Sequence, residues 1–134
     1  MQKLIDEHGM SERFRLDSAG THAYHIGEPP DQRAVTAAQE RGVEIAHLKA
    51  RKVTPEDFYD FDLVLAMDAD NLNVLSTMRP EDSRADVRLV LHYSKTDPDG
   101  AVPDPYYGNN AGFERVLDLL EEVSAELLAD LIDQ

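Results

Sequence analysis

The stretch of the chain best suited to chemistry is Val102–Gly108, where one carboxylic acid stands between two prolines and two tyrosines follow. A proline fixes its own φ angle and disfavours helix at the residue before it, so Asp104 is predicted to lie on a stiff, extended loop. A general acid must first be held in place, and such a loop meets that requirement. Tyr106 and Tyr107 offer flat faces that could line a slot for an aromatic ring. The same residues also fit a surface turn with half-buried tyrosines.

The elements around this loop are predicted to alternate between strands and helices. Leu63–Met67 is apolar without alternation, which is typical of a strand covered on both faces, and Phe14–Ser18 and Val87–Leu91 read as further strands. Helices are predicted at Met1–His8, Asp31–Arg41, after Thr54–Pro55, after Asp68, and from Asn109 or Asn110 onward. We therefore expect an α/β fold with an open parallel sheet and helices on both faces, in a single domain spanning residues 1–134.

Ligands of such folds bind at the carboxyl ends of the strands. Ser18, Asp68 and the loop after Leu91 each follow a predicted strand, so we expect them to share one rim of the sheet. Asp68 is better explained as a helix N-cap than as a phosphoryl acceptor. The histidines do not have the spacing of metal ligands, so we expect no metal site.

Composition and charge narrow the classes of partner. The chain has 134 residues, an apolar fraction of 42%, and 13 basic against 27 acidic residues, for a net charge of −14. Such a surface repels nucleic acid and anionic lipid, so we expect neither as a partner. No apolar run approaches the roughly 20 residues that cross a bilayer, and no signal-peptide pattern is present, so we expect a cytoplasmic protein. The chain contains no cysteine, which excludes disulfides and thiol nucleophiles within it.

Six stretches of the chain, taken together, resemble the low-molecular-weight protein tyrosine phosphatase family. In chain order they are Asp17–Thr21, Gly27–Ala34, His47–Lys52, Thr54–Phe58, Phe61–Leu72 and Val102–Gly108. In that family a cysteine thiolate attacks the phosphorus of an aryl phosphate, and water then hydrolyses the phosphocysteine. The resemblance implies that Asp104 protonates the leaving phenolate and later acts as general base. It implies a phosphotyrosine protein or aryl phosphate as partner, and no cofactor.

The resemblance also implies roles for six further residues. Two of them, Ser18 and His47, match positions whose side chains brace the phosphate-binding loop by hydrogen bonds. Each also has a structural explanation, because a strand-end serine or a loop histidine often satisfies a backbone group. The four residues that match the walls of the substrate pocket are Tyr24, His25, Tyr106 and Tyr107.

The family's signature, a cysteine followed by five residues and an arginine near the N-terminus, has no counterpart here. We therefore expect an N-terminally truncated domain that lacks the first, central strand and the phosphate-binding loop, and that is inactive as it stands. Two strands would then have no neighbour between them, those at Arg15–Ser18 and Leu63–Met67. We expect these strands to close on each other, or a second copy of the chain to fill the gap by self-association.

Two alternatives belong to other functional classes. The first is a non-catalytic module that binds phosphotyrosine or another aryl anion in the slot between Tyr24, Tyr106 and Tyr107. The second is a receiver-type signalling domain, which needs clustered acids at the end of its first strand and a late lysine. Only Asp68 and Lys95 come close to that requirement. An arsenate reductase on a similar scaffold would itself require cysteines.

Overall fold

The structure is a computed structural model that describes residues 1–22, 26–94, 102 and 110–132. Its elements follow one another along the chain as helices and strands. They are α1 (Gln2–Glu7), α2 (Gln32–Glu40), α3 (Asp57–Asp60), β1 (Leu63–Ala66), α4 (Ala69–Met78), β2 (Asp86–Leu89), a 3-10 turn (Val90–Tyr93) and α5 (Asn110–Ile132). No helix in the described ranges is long and apolar enough to span a bilayer.

The sheet formed by the described residues has two parallel strands joined through α4. Leu63 pairs with Asp86 at one end of the ladder, and Ala66 pairs with Leu89 at the other. Successive side chains of β1 point to opposite faces, as in any strand, and both faces are covered. Val64 and Ala66 belong to one core cluster, and Leu65 packs against the other. The predicted α/β class, with a parallel sheet and helices on both faces, is confirmed.

The two clusters are built by different helices. On one face, Phe58 of α3 and Leu75 of α4 are buried with Val53, Ala66 and Ala85. The buried hydroxyl of Ser83 fastens this face, since it donates to the Phe58 carbonyl at 2.6 Å and accepts from the Ala85 amide at 3.1 Å. The residues that cover the other face come largely from the 3-10 turn and α5; they are Val90, Leu91, Val123, Leu119 and Leu120.

The helices α1 and α2 pack on α5. Arg41, at the end of α2, forms ion pairs with three acids of α5: Glu114, Asp118 at 3.0 Å and Glu121 at 3.3 Å. Its carbonyl accepts a hydrogen bond from Lys3 Nζ at 2.8 Å, which ties α1 to the same point. Arg41 therefore joins three helices, with its guanidinium on α5 and its carbonyl on α1.

The predicted strand at Phe14–Ser18 is wrong, because these residues form no ladder with another strand in the described chain. Arg15 instead places its guanidinium 4.6 Å from the centre of the Phe61 ring and donates to the Asp60 carbonyl at 2.7 Å. The expected closure of this segment on β1 is also wrong, since the described partner of β1 is β2. An apolar–polar alternation fits a strand only where a neighbouring strand can take its backbone hydrogen bonds.

The helix ends agree with the sequence in most places. Asp68 caps α4 by accepting from the Asn71 amide at 2.8 Å, and Gly42 follows α2 with a φ of 76°. Thr54, predicted as the cap of the next helix, is not its N-cap, because α3 begins only at Asp57. The predicted strand Val87–Leu91 ends at Leu89, and Val90 and Leu91 enter the 3-10 turn and pack into the core.

Candidate functional site

A cavity of about 420 Å³ opens between the loop after residue 17, the Lys49–Arg51 segment and the start of α4. Its lining includes hydroxyl, amide and basic side chains, while carbon atoms make up most of the exposed surface of the wall. Such a wall offers a ligand a few polar contacts on a largely apolar surface. The lining residues are Ser18, Ala19, Gly20, Thr21, His22, Lys49, Ala50, Arg51 and Asn71.

Backbone and side-chain hydrogen bonds bring these distant segments together. The Gly20 amide donates to the Arg51 carbonyl at 2.9 Å, and the Val53 amide donates to the Gly20 carbonyl at 2.9 Å. The Asn71 side chain donates to the Thr21 hydroxyl at 3.1 Å, which holds this loop against the first turn of α4. The loop after residue 17 therefore lies beside α4, the helix that follows β1.

Arg51 is the most strongly paired cation of the cavity wall. Its guanidinium donates to both carboxylate oxygens of Asp57 at 3.0 Å and to Asp17 at 3.1 Å. Burial tends to raise the pKa of the Asp57 carboxyl, but hydrogen bonds from Arg51 and from the Thr54 amide outweigh it and lower that pKa below its ordinary value. The hydrogen bonds to Asp57 in turn raise the pKa of Arg51. Two carboxylates balance this charge, so Arg51 positions the loop instead of offering an open anion site.

Lys49 differs from Arg51 in its pairing. It is exposed and lines the same cavity, and within the described residues no carboxylate oxygen lies within 4.0 Å of its ammonium group. On a chain with a net charge of −14, a cation in the cavity wall that pairs with no described carboxylate is a specific feature of the surface.

The structure locates two of the seven predicted site residues. Ser18 is exposed and lines the cavity, and its amide donates to the Asp17 carboxylate at 2.8 Å. His47 is exposed, is not part of the cavity wall, and forms no hydrogen bond with another described residue. The other five lie outside the described residues, and the roles of all seven stay predictions. Those five are Tyr24, His25, Asp104, Tyr106 and Tyr107.

The structure describes Val102, the first residue of the stretch that is predicted to carry the general acid. The Val102 amide donates to the carbonyl of Met67 at 2.8 Å, directly after β1. The start of the Val102–Gly108 stretch therefore lies at the carboxyl end of a strand. Met67 precedes α4, whose Asn71 contributes to the cavity, so the loop begins on the same side of the sheet.

Sequence reasoning missed three residues of this site: Thr21, Asn71 and Arg51 in its pairing role. The contact between Thr21 and Asn71 joins positions 50 residues apart, and no local pattern reveals it. In the sequence, Arg51 is visible only as part of a basic cluster within His47–Lys52, together with Lys49 and Lys52. A signal for its pairing existed in the acids at positions 17 and 57, but either could equally have been a solvated charge.

The parallel α/β fold, with a cavity beside the helix that follows β1, fits the class of low-molecular-weight phosphatases. The sequence profile of the family described as "Low molecular weight phosphotyrosine protein phosphatase" matches residues 1–134. The chain belongs to this family.

Curated relatives share this family name. The chain is 42% identical over 132 residues to a putative low molecular weight protein-tyrosine-phosphatase of Synechocystis, and the match covers 98% of this chain and 83% of that protein. It is 39% identical over 119 residues to the human low molecular weight phosphotyrosine protein phosphatase, over 86% of this chain and 73% of the human protein.

Solved structures give the same result. The protein tyrosine phosphatase of Entamoeba histolytica, crystallised with Hepes in its active site, superposes with a TM-score of 0.92 at 36% identity, over 98% of this chain and 84% of that one. YfkJ of Bacillus subtilis superposes with a TM-score of 0.88 at 31% identity, over 98% of this chain and 82% of that one.

Proposed function

We propose that the chemistry of this protein is the hydrolysis of phosphotyrosine and other aryl phosphates, with Asp104 as general acid and then general base. We propose further that the 134-residue chain does not catalyse this reaction on its own. The observation that carries the second statement is that a member of a family working through a cysteinyl phosphate has no cysteine. One acid–base group contributes about 10²–10⁴-fold to a rate, and it has nothing to assist without a thiolate and an anion cradle.

Aryl-phosphate hydrolysis by the purified 134-residue chain is therefore expected to be indistinguishable from buffer. The measurement is the release of a chromogenic phenol from an aryl phosphate, with an Asp104→Asn chain purified in parallel. Any contaminating phosphatase would appear equally in both preparations. Turnover by the natural chain that Asp104→Asn abolishes would show that another residue replaces the cysteine, and would overturn the proposed inactivity.

A second candidate function is binding of phosphotyrosine without catalysis. The observation that favours it is the cavity itself, whose wall includes the exposed Ser18 and Lys49, a cation that pairs with no carboxylate in the described part of the chain. Hydroxyl and ammonium groups both donate hydrogen bonds to phosphate oxygens. Saturable shifts of backbone amides around the cavity on titration with a phosphotyrosine peptide would support this function. Absence of saturation at millimolar peptide would exclude it.

We propose, third, that copies of the chain associate through the open edge of β1. Within the described residues the sheet has two strands, so β1 has β2 on one edge and no strand on the other. The neighbouring Met67 leaves 43% of its surface exposed. An unpaired strand edge is a template for pairing with another chain, while a net charge of −14 opposes association. Sedimentation is expected to show a dimer that strengthens with protein concentration and with added salt, and a monomer under all of these conditions would contradict the proposal.

A further inference from the structure

We propose that Lys49 determines specificity at the cavity, by favouring phosphotyrosine peptides that carry an acidic side chain next to the phosphotyrosine. This inference rests on the phosphotyrosine binding proposed above and names the chemistry of the ligand beside the phosphate.

The two basic side chains of the cavity wall differ in how far carboxylates neutralise them. Lysine and arginine contribute two side chains to this wall, Lys49 and Arg51. Arg51 already faces the carboxylates of Asp17 and Asp57 at 3.0–3.1 Å, so a ligand would have to displace them to reach it. Lys49 has no such partner among the described residues. An acidic ligand group that approaches the cavity is therefore attracted first to Lys49.

Hydrogen bonds anchor the backbone on both sides of Lys49. The Ala50 amide donates to the Glu28 carbonyl at 2.9 Å, and the Gly27 amide donates to the Ala50 carbonyl at 2.7 Å. On the other side, the Leu48 amide donates to the Ile45 carbonyl at 3.0 Å. The side chain of Lys49 thus starts from a fixed point on the rim, although its own four carbons remain free to follow a ligand.

A lysine at the cavity rim can reach a residue that flanks the phosphotyrosine of a bound peptide. Residues of an extended peptide advance by about 3.3–3.6 Å each, so an acid one or two positions from the phosphotyrosine lies within the span of a lysine at the cavity rim. An exposed ion pair of this kind changes affinity by roughly two- to fivefold.

The test is a set of amide-shift titrations of the 134-residue chain with matched peptides, at about 0.01 M ionic strength, where screening is weak. Three phosphotyrosine peptides differ only in the flanking residues, which are glutamate, glutamine or lysine. The variants are Lys49→Glu and, as control, Lys52→Glu. Lys52 belongs to the same basic cluster and is exposed, but it does not line the cavity, so both substitutions change the net charge equally.

For the natural chain we expect the glutamate-flanked peptide to bind roughly two- to fivefold more tightly than the glutamine-flanked one. We expect Lys49→Glu to reverse this order and to favour the lysine-flanked peptide, and Lys52→Glu to keep the original order. The preference should shrink at about 0.15 M salt, because an exposed ion pair is screened.

Each contrary outcome overturns the inference in a different way. If all three phosphopeptides bind equally, phosphotyrosine binding stands and the role of Lys49 is wrong. If Lys52→Glu removes the preference as fully as Lys49→Glu does, the effect is one of net charge and not of this residue. If no phosphopeptide binds, the proposed binding function fails, and the inference fails with it. Unchanged amide spectra of the free variants establish that each one is folded.

Discussion

Replacing Phe58 by alanine is expected to lower the free energy of unfolding by about 3–5 kcal/mol, the range for removing a buried aromatic side chain. Phe58 is 1% exposed and lies at the centre of the cluster that holds α3 and α4 against the sheet. Its helix, α3, has only four residues, so packing and not helix propensity keeps it in place. A loss of this size should lower Tm by roughly 10 °C or more.

The matched control for this substitution is Tyr59→Ala, the next aromatic residue in the chain. Tyr59 leaves 57% of its surface exposed, and its hydroxyl donates to Asp82 at 2.6 Å on the surface. Its loss should destabilise the fold far less, because little buried contact disappears. Urea unfolding followed by circular dichroism measures both variants. Equal midpoints for the two would mean that Phe58 does not form the core described above.

The second large effect is expected for Arg51→Ala, which should cost about 1–3 kcal/mol at neutral pH. Removing one partner of a fully buried ion pair costs about 3–5 kcal/mol, and the 35% exposure of the Arg51 side chain reduces that figure. The substitution leaves the carboxylate of Asp57, which is 8% exposed, without its cation. Lys52→Ala removes a neighbouring exposed positive charge and serves as the control.

The destabilisation by Arg51→Ala should depend on pH with a definite sign. The pKa of Asp57 is lower in the folded chain than its ordinary value of about 3.9. Its contribution to stability is therefore complete above about pH 4 and is lost as the pH falls through the lower, folded-state pKa. The difference in unfolding free energy between the natural chain and Arg51→Ala should shrink when urea unfolding is repeated near pH 3. An equal difference at both pH values would show that Arg51 acts through packing alone.

Much of the fold was predictable where local chemistry decides the outcome. The apolar run at Leu63–Met67 became β1, Asp68 caps α4, and Gly42 follows the end of α2 with a positive φ. These features depend on burial, on a side-chain cap and on backbone freedom, all of which short sequence patterns express.

Predictions failed where the conformation of a segment depends on residues that are distant in the sequence. Phe14–Ser18 has the alternation of a strand, but a strand also needs a neighbour, and the segment is held instead by the contact of Arg15 with Phe61. For the same reason, composition alone could not separate Arg51, which pairs with two carboxylates, from Lys49, which pairs with none that the structure describes. Of the predicted site, the structure locates Ser18 in the cavity wall and His47 outside it.

The three ion pairs of Arg41 have a consequence for how the protein unfolds. The main contacts of α1 and α2 are with α5, and α5 also covers the face of the sheet opposite α3 and α4. The long helix α5 thus couples the packing of α1 and α2 to the packing of the sheet. Local fraying of α5 at the level of Glu114–Glu121 would break the ion pairs of Arg41 and withdraw Leu119 and Leu120 from the cluster against which Leu65 packs. The cooperativity of unfolding is therefore expected to depend on this helix.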